Sequence, residues 1–222
     1  MKLNLGCGLV QKHESYWVNV DKKELVGVDQ VVNLFQFPWP WGDDTVDEIL
    51  CSHLLEHVPH EWKWSSGDTW PSAPFAVKDW ASKLADLDGF YAFFAECWRV
   101  MKHGALAVFT VPYGASRYAM QDPTHVRFIV RSTIGYIIDG DSPDGTFCKN
   151  NPFRFACESL SIKGSRPEFY ALTSYLGFSK DAGADKDGRA YANWRLEDAF
   201  ENEWNYVAEM TFVLKAVKDA QG

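Results

Sequence analysis

The sequence predicts an α/β fold: an open, mostly parallel sheet that binds its ligand at the carboxyl ends of the strands. Three observations predict it. Strand-like and helical segments alternate through the first half of the chain, Gly6-Cys7-Gly8 follows the first strand at once, and Asp21 closes the second.

Lys2 to Leu5 alternates and is apolar enough for a short strand. From Gly8 to Trp17 there is room for about two helical turns, short for a helix crossing between parallel strands. Trp17-Val18-Asn19-Val20 reads as the second strand and Val28 to Leu34 as the third, closed by the rigid turn Phe37-Pro38-Trp39-Pro40-Trp41-Gly42. Val46 to Cys51 is the fourth. Residues 88 to 103 give the clearest helix, with Phe90, Phe93, Phe94, Cys97, Trp98 and Met101 at helical spacing, Asp88 at its start and Lys102, His103 and Gly104 at its end. That aromatic stripe reads as core. Ala105 to Val111 supplies a fifth strand, and Tyr206 to Val217 a late strand that completes the sheet.

Two stretches stand outside this scheme. His60 to Leu87 carries Trp62, Trp64, Trp70 and Trp80 among Ser, Gly and Pro, and Gly114 to about Asn205 holds Gly/Asp/Pro-rich turns around Ser132 to Ile138 and Phe153 to Ile162. Both read as insertions over the carboxyl edge. The chain is therefore expected to form one domain over 1–222, with insertions at about 60–87 and 114–205.

Composition narrows the function classes. With 222 residues, 46% of them hydrophobic, the chain can bury one substantial core. A net charge of −8 repels a phosphate backbone, and the one faint basic cluster is His125, Arg127 and Arg131, so nucleic acid is not the expected partner. The five cysteines, Cys7, Cys51, Cys97, Cys148 and Cys157, contain no C-x-x-C pair and suggest neither a disulfide framework nor a zinc knuckle. The opening MKLNLGCG lacks an apolar leader, and no stretch reaches the length of a membrane span. A cytoplasmic protein, without a membrane partner, is the expectation.

Gly6 and Gly8 remove side chains from the first turn, letting a ligand approach the backbone. Asp21 stands where a carboxylate accepts both hydroxyl protons of a ribose; its competing reading is a helix N-cap. A dinucleotide fingerprint needs a third glycine at position 11, and the residue there is Gln11. A nucleoside without phosphates needs no such device, and S-adenosylmethionine is one. His53-Leu54-Leu55-Glu56-His57 has the H-x-x-E-H spacing of inverted zinc metalloproteases. Those enzymes carry the pair on a long helix, whereas here a strand ends at Cys51 and Pro59 follows closely, so strand then turn is expected and no metal is assigned.

Asn4-Leu5-Gly6-Cys7-Gly8, Val18-Asn19-Val20-Asp21, Asn33-Leu34, Phe37 to Cys51 running into Ser52-His53-Leu54-Leu55-Glu56-His57, and Glu96 to Lys102 before Val108 to Pro112 together resemble the class I S-adenosylmethionine-dependent methyltransferases, in the branch labelled methyltransferase type 11. The resemblance spans residues 2 to 113 in order. It implies a Rossmann-like three-layer sandwich whose seven-stranded sheet is mostly parallel with an antiparallel last strand. It also implies cofactor positions: Asn4, Gly6, Cys7 and Gly8 along the methionine and ribose, Asp21 on the ribose hydroxyls, Asn33 and Leu34 at the adenine, and Ser52 and His53 near the sulfonium. Asn4 and Asn33 replace the acidic residues usual in the family.

The implied reaction moves a methyl group from the sulfonium to an oxygen or nitrogen of an acceptor, with a small molecule or glycan favoured. His125 is the first candidate base and Tyr113 the second. The four tryptophans of 60–87 would form a lid or bury a homo-oligomer interface. Two other readings stay open: an NAD-dependent oxidoreductase on a related sheet, which Gln11 disfavours, and a binding protein that keeps the fold without turnover.

Overall fold

The structure is a computed structural model, and it describes residues 1–64, 87–138, 153–164 and 207–218. Its main sheet is built from β1 (Lys2–Leu5), β2 (Trp17–Asp21), β3 (Gln30–Val31), β5 (Val46–Ser52), β7 (Met101–Pro112), β8 (Phe155–Gly164) and β9 (Val207–Ala216). These seven strands lie in the order β3-β2-β1-β5-β7-β9-β8. The pairs from β3 through β7 are parallel, and β9 runs antiparallel to both neighbours. This is the seven-stranded, mostly parallel sheet that the resemblance implies. A second, two-stranded sheet pairs β4 (Gln36–Phe37) with β6 (Lys63–Trp64).

Alternation puts one apolar face across the sheet. Leu3 and Leu5 stand beside Ile49 and Cys51, these beside Ala107 and Phe109, and these beside Leu214 and Phe212. All eight are fully buried. Helix α1 (Gly89–Val100) covers this face. Asp88 caps it, accepting the Phe90 N–H at 2.8 Å. Phe94 packs on Phe109 with ring centroids 5.2 Å apart, and Phe93 meets Trp39 at 5.2 Å. Each buried ring of this kind stabilises the fold by about 1.5–3 kcal/mol relative to exposure. The predicted aromatic stripe is core.

A buried ionic cluster fixes α1 to the Pro/Trp turn. Arg99 donates to both Glu96 oxygens at 2.8 Å, to Asp43 at 2.6 Å and to the Trp41 carbonyl at 3.0 Å, while Glu96 accepts the Trp39 N–H at 2.7 Å. Burial works against the guanidinium charge, but the two carboxylates outweigh it and raise the Arg99 pKa.

Four expectations change. The interval 8–16 forms turns and bends instead of a helix, and it lies on the polar face of β1 and β2. The third strand contracts to Gln30–Val31, because Gln36 N–H bonds back to Asn33 and turns the chain. Helix α1 stops at Val100 and β7 begins at once; Gly104, at φ 77°, sits where the β5/β7 register shifts and not at a helix end. Finally, Phe153 to Ile162 was expected within an insertion, but Phe155–Gly164 is the edge strand of the main sheet. A bulge at Glu158 interrupts its alternation and hid the strand signal. Two short helices, α2 (Arg117–Met120) and α3 (Arg131–Gly135), lie between β7 and β8. No helix among the described residues is long and apolar enough to cross a membrane.

Candidate functional site

At the carboxyl ends of β1 and β2 lies a cavity of about 500 Å³, whose wall includes Gly6, Gly8, Asp21, Asn33, Leu34 and His53. Ligand pockets commonly measure about 300–1,000 Å³. The Asp21 carboxylate is held by two backbone donors, Gly8 N–H at 3.0 Å and Lys23 N–H at 2.9 Å. A carboxylate has about four acceptor positions, so two remain for a ligand's hydroxyls. No helix follows Asp21, which removes the N-cap reading.

The two glycines serve different ends. Gly6 has φ 64°, and a Cβ there would meet the Leu54 side chain at 3.0 Å, so its bareness admits Leu54 at the cavity wall. Gly8 has φ 50°, and a Cβ would enter open space. Gln11 donates to the Gly8 carbonyl at 3.0 Å and to the Val26 carbonyl at 2.7 Å, tying together the loops after β1 and β2. Since 8–16 is not helical, no helix N-terminus stands at this turn to receive a pyrophosphate.

Three predicted cofactor residues fall outside the wall. Asn4 is buried, and its amide donates to the Val10 carbonyl at 2.9 Å and to Asn19 Oδ1 at 3.0 Å. Asn19 in turn bonds both the N–H and the carbonyl of Lys12 at 2.8 Å. These asparagines pin the 8–16 loop to the sheet, a structural task in place of the missing helix. Cys7 is buried, with its N–H bonded to the Val20 carbonyl, and burial followed by the Asp21 charge pushes its thiol up to about 11. Ser52 is exposed at the end of β5 and does not line the cavity. Asn33, implied at the adenine by the resemblance, already accepts the Phe35 N–H through Oδ1 at 3.1 Å.

The motif His53 to His57 is not a helix. His53 has φ 53°, and Leu55–His57 makes a single 3₁₀ turn. His53 Nδ1 lies 3.3 Å from Glu56 and Nε2 3.1 Å from Glu209. The Glu56 bond, against the opposing effect of burial, raises the His53 pKa. Burial works to raise Glu209, but the Lys163 ammonium at 2.9 Å and His53 pull it below its ordinary range.

His53 also borders a second cavity of about 370 Å³, lined by Tyr118, Gln121, Asp122, His125, Lys163 and Glu209 among others. Here the base candidates separate. His125 lines this cavity; its Nδ1 lies 2.7 Å from the Ala119 carbonyl, and its Nε2 is 3.8 Å from Asp122, beyond hydrogen-bond reach. Tyr113 is 3% exposed within the hydrophobic core and lines neither cavity, because it pairs inward where β7 meets Ala208.

Sequence reasoning missed Lys22, Lys23, Leu25, Val32, Phe35, His57 and Thr124 in the first wall and Lys163 and Glu209 in the second. Nearness to Asp21 and Asn33 could have flagged the first five, the H-x-x-E-H spacing His57, and nearness to His125 Thr124; nothing local marks Lys163 and Glu209. Of the tryptophans proposed for a lid, Trp62 packs on Phe37 at 5.3 Å and donates to the Leu87 carbonyl at 3.0 Å. Trp70 and Trp80 lie outside the described residues, and Trp64 is described only by its strand pairing.

No family model matches the chain, and no curated protein matches it. Among solved structures it is similar to a SAM dependent methyltransferase from Archaeoglobus fulgidus, with 16% identity and a TM-score of 0.50 over 96% of this chain and 85% of that one. It is also similar to the YcgJ protein from Bacillus subtilis, with 13% identity and a TM-score of 0.48 over 99% of this chain and 92% of that one. The first likeness, with the strand order, shows the fold: a Rossmann-like, mostly parallel seven-stranded sheet.

Proposed function

We propose that the chain is an S-adenosylmethionine-dependent methyltransferase that acts on an oxygen or nitrogen of a small polar molecule or a glycan. The observation that carries this reading is a pair of cavities that share His53 in their walls, one lined by a glycine turn and a backbone-held Asp21, the other mostly by polar side chains. Asp21 would grip the ribose hydroxyls, Leu25, Val32 and Phe35 would enclose the adenine, and the sulfonium would face His53. The absence of a helix at the glycine turn favours a ligand without phosphates over a dinucleotide.

Holding donor and acceptor at near-attack distance supplies much of the rate in such a displacement. S-adenosylmethionine held there would supply the methyl carbon to the acceptor's lone pair, with the C–S bond electrons returning to sulfur. Where the acceptor must lose a proton, His125 is placed to take it: with Nδ1 donating to the Ala119 carbonyl, Nε2 carries the lone pair.

Calorimetric titration with S-adenosylmethionine, S-adenosylhomocysteine and NAD tests the cofactor. Saturable binding of the first two with none of NAD is expected; tight NAD binding would shift the reading to an oxidoreductase. A methyl-transfer screen over metabolites, glycans and proteins then identifies the acceptor, and turnover of no acceptor at all would favour a binding protein.

A further inference from the structure

We propose that Glu56, His57 and His125 form a binding site for a divalent transition metal of the zinc class, set in the wall between the two cavities. One potential ligand atom from each of the three lies within 4.8 Å of the others. The Glu56 side chain is 2% exposed, one of its oxygens meets His53, and the other, Oε2, is buried without a hydrogen-bond partner among the described residues. A buried carboxylate oxygen left unpaired is costly, and a cation is the partner that removes the cost.

The histidines are already arranged as ligands. His57 Nδ1 lies 3.2 Å from the Thr124 carbonyl, and His125 Nδ1 lies 2.7 Å from the Ala119 carbonyl. A metal-bound histidine commonly donates its other ring N–H to such a carbonyl, which fixes the tautomer and leaves Nε2 as the ligand. The two rings stand edge to face with centroids 4.8 Å apart. Their backbones are fixed to each other: Val126 and Arg127 N–H donate to the Glu56 carbonyl at 2.8 and 3.1 Å, and the Arg127 side chain donates to the Val58 and Pro59 carbonyls.

Tetrahedral zinc holds its ligand atoms about 3.3 Å apart, so the widest pair would close by about 1.5 Å through side-chain rotation. Two imidazoles and one carboxylate favour zinc, cobalt or iron(II) over magnesium or calcium. Three protein ligands leave a fourth position for an oxygen from water or an acceptor. His57 lines the first cavity and His125 the second, so the ion would sit where they adjoin. His125 would then serve as a ligand in place of a proton acceptor. The H-x-x-E-H spacing would pair His53 with His57, whereas the fold pairs His57 with His125.

The test is titration of the chelator-stripped chain with Co²⁺, read by its visible absorption, followed by displacement with Zn²⁺. One equivalent is expected, displaced by stoichiometric Zn²⁺ and not by a large excess of Mg²⁺. Glu56→Gln and His125→Ala should each weaken Co²⁺ binding at least about 100-fold, while His60→Ala leaves it unchanged. Circular dichroism confirms that each variant is folded, and His125→Asn stands in for any that is not. Absence of saturable binding by the wild type, unchanged affinity in the Glu56 and His125 variants, or loss of binding in His60→Ala would each overturn the site. The readout is metal binding, so it stands or falls separately from methyl transfer.

Discussion

The Asp21 carboxylate accepts the Gly8 N–H at 3.0 Å, joining the end of β2 to the turn after β1. One residue thus shapes the glycine turn and faces the cavity that the turn floors. Asp21→Ala should lower S-adenosylhomocysteine affinity, since a hydrogen bond to a charged group contributes about 1.5–3 kcal/mol, or about 10- to 150-fold. Calorimetry measures it; unchanged affinity would place the nucleoside elsewhere.

Gly6 and Leu54 form a steric pair, with 3.0 Å left for a Cβ. Gly6→Ala adds a left-handed alanine, costing about 1–2 kcal/mol, and an overpacking cost of about 1–3 kcal/mol. Adding Leu54→Ala should relieve the second part and not the first. Chemical denaturation of the four members of this cycle should therefore give a non-additive result.

Arg99 stands between Glu96 and Asp43 with all three side chains almost fully buried. Arg99→Met strands two carboxylates, and breaking such a pair costs about 3–5 kcal/mol. The urea midpoint should fall accordingly, and a fall within experimental error would mean that water reaches the cluster.

Cys7 keeps its proton up to about pH 11 in the folded chain, against an ordinary 9.0. With the folded pKa raised, its contribution to stability is full below the unfolded pKa and is lost as pH rises through the folded one. Between pH 9.0 and about 11 the wild type should lose more stability than Cys7→Ala. Parallel denaturation curves across that window check this, and equal losses would reject it.

His125 and Tyr113 separate once an acceptor is in hand. In the metal-free chain His125→Ala should lower turnover by about 10²-fold or more at unchanged cofactor affinity, as general bases contribute about 10²–10⁴-fold. Tyr113→Phe keeps the buried ring and should leave turnover within about twofold. The ratio of the two rates decides between them.

By itself the sequence determined what short-range chemistry controls. A glycine turn follows an apolar strand, an acid ends the next one, and an aromatic stripe at helical spacing makes α1; each is written in neighbouring residues. What only the tertiary structure decided depends on distant partners. Asn4 has a structural task because Asn19 and the 8–16 loop meet it, and Tyr113 points into the core because β9 lies beside β7. Strand β8 was hidden by a bulge that broke its alternation. His57 and His125 come together because Arg127 and Glu56 fix two separate loops by backbone hydrogen bonds, which no local spacing encodes. Periodicity records which face of an element is buried, but not which other element covers it.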